Sequence, residues 1–412
     1  MVELNKVCGV DVHTRFLAVT ILCRSGERVF REFGTDVTSL LEFKDWVLKE
    51  GCERVAFEST GVYWTPVYNV LEGFVEVYLA NAYHIKHIKG KKTDQSDSDW
   101  IAQLCLGDLI EPSRVFPVWE RGLRDLTRLR ASLVEDKTRC KNRVHKALQS
   151  CNIQVGRLLS DVFGISGRIL LAGILEGSGL DEIVKRLPKK LRDKQEVLEE
   201  ILGNNLDPAN MTIMRENLDM IRLIEDKIQR VEAEIMGLSE CKKEEMRILM
   251  SVPGVSRIGA FTILGELGDY TDFEDGDRLA SWSGLTPSVY QSADKLRTGH
   301  ITKQGNRRLR WIMTEVAQAA ARTKNTRLSK VFHRLKAKKG YKIAVIALAR
   351  KMLCIIHHLL KNRELYQEED YQKKTRPLKT QQSQTPMTQE EMIKTLKEAN
   401  YIIYKKPSRG CT

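Results

Sequence analysis

The chain has no cysteine pairing that could staple it or hold a metal. Its nine cysteines are spread over 412 residues without a CxxC pair, which excludes an evident zinc ribbon or disulfide framework. An odd number of lone thiols suits a reducing cytoplasm. No apolar stretch approaches the roughly 20 residues of a membrane span. The opening MVELNKVCGVDVH is too polar for a signal peptide. Aromatic residues are sparse at 7%, and the six tryptophans are scattered, which places them in cores rather than on base-stacking platforms. Acidic residues are outnumbered, 54 against 67 Lys and Arg, leaving a net charge of +13 that calls for a polyanionic partner such as nucleic acid and not a membrane. The chain is long enough for two or three domains, with 42% hydrophobic residues to build their cores.

Residues 6–33 alternate β-rich runs with turns (KVCGVDV, FLAVTILC, then ERVFREF after Ser25-Gly26), which predicts an antiparallel three-stranded meander. SLLEFKDWVLKEG reads as an amphipathic helix ending at Gly51. A buried strand RVAFES, a helix through Val62–Leu71, a strand VEVYLAN and a helix Asp94–Leu106 follow. Three strands and then alternating helix and strand is the order of a ribonuclease-H-like (RuvC-like) α/β domain, expected over 1–112. Residues 113–242 read as an α-helical, coiled-coil connector. Trp119–Ser150 is helical and basic, and in a helix over 211–240 the residues Ile221, Ile224, Ile228, Val231, Ile235 and Leu238 follow the spacing of a coiled-coil seam. That seam predicts self-association, as a dimer or tetramer, with packing on its own chain as the alternative. A mainly α C-terminal domain is expected over 243–362, and a polar, poorly ordered tail over 363–412.

The chemistry-bearing pattern is acidic. Asp11 sits mid-strand between valines, where a carboxylate needs a partner. Glu58 ends the strand RVAFE, and Asp94 and Asp97 lie three apart on one helix face, with Asp99 close by. Acids in a helix's first turn are commonly caps that complement the macrodipole, by about 0.3–1 kcal/mol each. In a ribonuclease-H-like sheet, however, the first and fourth strands are neighbours, so Asp11 and Glu58 would stand side by side with the helix packed over them. Four converging carboxylates repel unless hard cations neutralise them. Mg²⁺ prefers such oxygen ligands, and two ions roughly 4 Å apart stabilise the attacking and leaving oxygens of phosphodiester cleavage.

These blocks resemble a known family. GVDVH, AFESTGVYW and KTDQSDSDWIAQL are similar to the three acidic blocks of the DEDD transposases of the IS110 group and the related Piv-type invertases. VPGVSRIGAFTILGELGDYTDF, LASWSGLTPSVYQSADKLRTGHITKQGNRRLRW and GYKIAVIALARKMLCIIHHLL resemble the family's later blocks, so both ends of residues 1–360 are covered. The resemblance implies a RuvC-like nuclease domain, a helical connector and a C-terminal domain bearing a nucleophilic serine. Metal ligands and catalytic residues would be Asp11, Glu58, Asp94 and Asp97, and the partners DNA and a structured guide RNA encoded beside the element. The chain departs from the pattern twice: Ser98 stands where the family has Ala after the fourth carboxylate, and Gln291-Ser292-Ala293 stands for Gln-Ser-Gly. Ser292 is the nucleophile candidate, with Ser288, Ser283 and Ser281 as alternatives.

Three further readings complete the picture. PGVSRIGA, with Pro253, Gly254 and Gly259, looks like a helix–hairpin–helix turn or an ordinary helical corner. Lys91, Lys92, Arg124, Arg128, Lys303, Arg307, Arg308 and Arg310 are the basic residues expected on nucleic acid. No Ser-His-Asp arrangement surrounds Ser292, so its hydroxyl needs activation from elsewhere. A metal-only nuclease and a non-catalytic nucleic-acid scaffold are the competing functions.

Overall fold

The computed structural model describes residues 3–58, 61–80, 94–204, 206–292 and 295–368. His84, His87, Lys91 and Lys92, and the tail beyond 368, lie outside the described residues. The chain forms two compact units, Met1–Pro117 and Val118–Thr412.

In the first unit β1 (Lys6–Val12), β2 (Phe16–Cys23) and β3 (Arg28–Gly34) form the expected antiparallel meander. Helix α1 (Val37–Lys49) is capped by Asp36, whose carboxylate accepts from the Ser39 amide. The chain leaves it through Gly51 at φ 69°, a left-handed conformation suited to glycine. Next come β4 (Arg54–Glu58), α2 (Trp64–Leu71), β5 (Glu76–Ala80) and α3 (Asp94–Leu106). The sheet order is β3-β2-β1-β4-β5, with β4 parallel to both β1 and β5, so the first and fourth strands are neighbours. Alternation along β1 divides its residues between two layers. Cys8, Val10 and Val12 pack with Phe43 and Val47 of α1 and Leu71 of α2, while Val7 joins Ala56, Ile101, Ala102 and Cys105 on the α3 side. Gly9 is the point of closest approach. A β-carbon there would stand 2.3 Å from the Ser98 carbonyl oxygen and 2.4 Å from the Ala102 nitrogen, so α3 lies directly on the strand backbone.

The described residues of the second unit are helical apart from one hairpin. Its elements are α4 (Val118–Ser150), α5 (Ile165–Glu176), α6 (Leu180–Arg186), α7 (Lys189–Arg192), α8 (Gln195–Leu202), α9 (Pro208–Gly237), α10 (Lys243–Ser251), α11 (Arg257–Leu267) and α12 (Gly276–Trp282), then β6 (Pro287–Ser292) and β7 (Lys295–Ile301), and finally α13 (Arg307–Arg322), α14 (Arg327–Lys339) and α15 (Tyr341–Asn362). Helices α4 and α9 run antiparallel, bridged by Arg130–Glu232 at 2.6 Å and Arg143–Asn217 at 3.4 Å. The isoleucine seam packs on its own chain, the alternative to the partner helix expected of it. Ile221, Ile224 and Ile228 are buried in one core with Val144 and Leu148 of α4, and Ile235, with Val231 and Leu238, enters a second core with Leu123. An apolar stripe takes the nearest partner, and α4 supplies one within the chain. α15 is long and apolar enough to cross a membrane by composition, yet Leu348, Met352, Leu353, Ile356 and Leu360 are among its fully buried residues in the C-terminal core. Residues 363–368 pack back as well, the Tyr366 amide donating to Ser251 Oγ at 2.8 Å.

Candidate functional site

Asp11 and Glu58 stand at the ends of adjoining parallel strands. The β1–β4 register pairs Gly9 with Ala56 and Val10 with Phe57, so the next positions are Asp11 and Glu58. Both follow by two residues a position on the α3 side, and both are half-buried. The direction of α3 brings its start to the same end of the sheet. Ser98 lies over Gly9, whereas Cys105 lies beside Arg54, which is level with Val7. Asp97 and Asp94 precede Ser98 and so lie toward the Asp11 end.

Neighbouring contacts sort the acids. Asp99 Oδ2 accepts from Arg28 Nη1 at 2.8 Å and Gln103 Nε2 at 2.7 Å, while its Oδ1 is buried without a hydrogen-bond partner among the described residues. The serine found in place of alanine at 98 is fully buried and shares a 2.7 Å hydrogen bond with Thr20 Oγ1, so its hydroxyl is satisfied against β2 and leaves the acidic end alone. Sequence reasoning missed His13. Its Nε2 is 3.1 Å from Asp11 Oδ2 and its ring stacks on Phe16 at 4.5 Å. The signal was the i, i+2 spacing that puts both side chains on one strand face. All four predicted ligands are hard oxygen donors, the set that Mg²⁺ takes, and in that respect they fit a divalent cation. Among the described residues no three His, Cys, Asp or Glu side chains close into a cation site, and the side chain of Asp94 is outside them.

In the second unit Ser292 is the last residue of β6, paired with Lys295 across the hairpin, and not in a loop as a lone turn serine would be. Its side chain, and residues 293–294, lie outside the described residues. Of the alternatives, Ser283 is fully buried and donates to the Ala280 carbonyl, and Ser288 donates to the His300 carbonyl at 3.1 Å. Ser281 is exposed. The hairpin's foot is fixed by backbone interlock: a β-carbon on Gly284 would meet the Gln304 carbonyl at 2.0 Å, and one on Gly305 the Trp282 carbonyl at 1.9 Å.

The basic residues divide. Arg124 and Arg128, expected on nucleic acid, are instead tied to a carboxylate that is fully buried, Glu266: Arg128 is bidentate at 2.6 and 2.9 Å, and Arg124 Nε lies at 3.2 Å. Burial pulls the Arg124 guanidinium down, and the hydrogen bond to Glu266 raises that of Arg128. Asn306 joins them, donating to Glu266 Oε2 at 2.8 Å while its Oδ1 caps α13 at Arg308 and Leu309. Arg310 donates to the Ser283 and Gln304 carbonyls, and Arg308 pairs with Glu135 at 3.1 Å. Lys303 and Arg307 are exposed, and among the described residues neither has an ion pair. The PGVSRIGA segment is a tight corner. Gly254, at φ 90°, would place a β-carbon 2.5 Å from the Ala320 nitrogen, and Ser256 Oγ caps α11 at the Gly259 amide.

Comparison with known proteins matches residues 8–153 to a family described as transposase, and residues 246–333 to the transposase IS116/IS110/IS902 family. The chain is 25% identical to the transposase for insertion sequence element IS1111A of Coxiella burnetii, over 88% of each chain. It is 24% identical to a probable family 20 transposase of Pseudomonas aeruginosa, over 76% of this chain and 85% of that one. The pilin gene-inverting protein of Moraxella bovis is 27% identical over 35% of this chain and 46% of its own length. With its N-terminal and C-terminal blocks both matched, the chain belongs to the IS116/IS110/IS902 family of transposases, enzymes that cut and join DNA.

Proposed function

We propose that this transposase uses a ribonuclease-H-like (RuvC-like) acidic site in its first unit and Ser292 in its second to exchange DNA strands. The observation that carries the first half is the juxtaposition of Asp11 and Glu58 on neighbouring strand ends, at the end of the sheet where α3 begins. The strand order β3-β2-β1-β4-β5 supports the ribonuclease-H-like reading. Asp11, Glu58, Asp94 and Asp97 are the residues that would hold Mg²⁺, a carboxylate set that suits two ions.

 

When bound, such a cation lowers the barrier to phosphodiester cleavage by stabilising charge on the attacking and leaving oxygens. The chain's own residues do the rest. His13 sits against Asp11 and orients that carboxylate, and Gly9 lets α3 come down on the strand, which sets the distance of Asp94 and Asp97 from the sheet.

Ser292 Oγ forms a bond to a backbone phosphorus as the bridging P–O bond of the DNA breaks. The hydroxyl proton leaves to solvent base, and the departing strand oxygen takes one up. Attack by the hydroxyl of a second strand reverses the step and frees Ser292, so bond energy is kept in the phosphoserine ester and no nucleotide is consumed. The exposed Lys303 and Arg307 follow the hairpin closely in sequence and serve the phosphate backbone. The family resemblance adds a structured guide RNA, for which the net charge of +13 leaves ample capacity. Cleavage of a labelled donor duplex tests the acidic site. Asp11→Asn and Glu58→Gln should each abolish divalent-dependent cleavage while leaving DNA binding intact, and a cleavage rate unchanged in both would refute it.

A further inference from the structure

Between Glu315 and Glu364 the chain has no acidic residue, and it has thirteen lysines and arginines. Helix α14 is the centre of this stretch. Leu328, Ser329 and Phe332 bury its inner face, and Lys330, Arg334 and Lys338 form an exposed row at four-residue spacing on its outer face. At 1.5 Å rise per residue the row is about 12 Å long, a length over which duplex DNA presents roughly seven phosphate charges. Arg322, Lys324, Lys339 and Lys342 extend the exposed cationic surface at both ends. Among the described residues none of these seven has a carboxylate partner, in contrast to Arg157, Arg168 and Arg186 in the same unit, which pair with Glu200, Glu225 and Glu176. Beneath the row, the Lys351 ammonium is pushed down by burial and by Arg327 and Arg334. The macrodipole accounts for Lys336, Lys338 and Lys339 in the last turn, but not for Lys330 and Arg334 in the helix interior.

We propose that the outer face of α14 is a docking surface for the sugar-phosphate backbone of duplex DNA, contacted independently of sequence. An unneutralised row of like charges destabilises the folded chain by self-repulsion and is relieved by a polyanion. Single-stranded nucleic acid is the poorer fit, because its binding needs aromatic platforms. Tyr341, the exposed ring here, is set edge-on against Phe332 at 5.7 Å, with its hydroxyl toward Gln318.

The test is the salt dependence of full-length protein binding to a duplex of about 30 base pairs with no element sequence. The triple variant Lys330→Gln/Arg334→Gln/Lys338→Gln should lower the slope of log K against log salt by about 2.7, or 0.9 for each lost phosphate contact, and weaken binding uniformly across sequences. Lys185→Gln/Lys189→Gln/Lys190→Gln removes the same charge from exposed positions of α6 and α7 and should leave the slope near the wild-type value. Lys330→Arg/Lys338→Arg should keep the wild-type slope, which separates loss of contact from loss of fold. An unchanged slope in the α14 variant, an equal fall in the α6–α7 variant, or a fall confined to a hairpin RNA probe would overturn the proposal.

Discussion

Replacing Gly9 with alanine adds one carbon at the point where α3 meets the sheet. The new atom would lie 2.3 Å from the Ser98 carbonyl oxygen, 2.4 Å from the Ala102 nitrogen and 2.9 Å from its α-carbon. These are backbone atoms, which no rotamer change can move. Ordinary contact needs about 3.5 Å, so α3 must back away by roughly 1 Å. Overpacking of this kind costs about 1–3 kcal/mol. The 2.7 Å bond between Thr20 and Ser98 stretches with it, and leaving a buried hydroxyl unsatisfied costs about another 1–3 kcal/mol. Against a typical stability of about 5–15 kcal/mol the variant folds, with a lower melting temperature. If Asp94 and Asp97 act as proposed, a shift of about 1 Å in α3 lowers the cleavage rate by about 100-fold. The assay is single-turnover cleavage of a donor duplex below the variant's melting point, with circular dichroism to confirm folding. A folded Gly9→Ala protein that cleaves at the wild-type rate would refute the role given to this contact.

The remaining predictions concern the second unit. Glu266→Ala strands Arg124, Arg128 and Asn306, and should cost about 3–5 kcal/mol in chemical denaturation, the scale of breaking a buried pair. His357, buried with Nε2 3.2 Å from the Tyr270 and Phe273 carbonyls, is held below 6.5 by burial. The unfolded chain therefore takes up a proton there before the native state does, so stability is complete above about 6.5 and declines as pH falls below it. Urea midpoints from neutral to mildly acidic pH should fall less steeply in His357→Gln than in the wild type. Ile228→Asp/Ile235→Asp should unfold the protein and not merely reduce its sedimentation mass, since both residues are covered by the chain's own helices.

Local pattern made the first unit legible. β-rich runs separated by turns marked β1 and β2, and the bounds of α3 follow from the apolar Ile101, Ala102 and Cys105 behind its acids. The neighbourhood of Asp11 and Glu58 followed from strand order alone. What the sequence hid depends on partners far along the chain. Arg124 and Arg128 look like phosphate contacts until Glu266, some 138 residues beyond Arg128, appears beside them. One oxygen of Asp99 is held by Arg28, 71 residues earlier, which no local pattern announces. The β6–β7 hairpin escaped notice because its connection, Ala293-Asp294, has no glycine to mark a tight turn. The isoleucine seam announced a partner but not whose.

The most direct test of the account traps the covalent protein–DNA intermediate and maps it by mass spectrometry in the wild type, Ser292→Ala and Asp11→Asn proteins. The account predicts an adduct on the peptide containing Ser292 in the wild type, and none in either variant. Full strand exchange by Ser292→Ala, with no adduct on any serine, would contradict it.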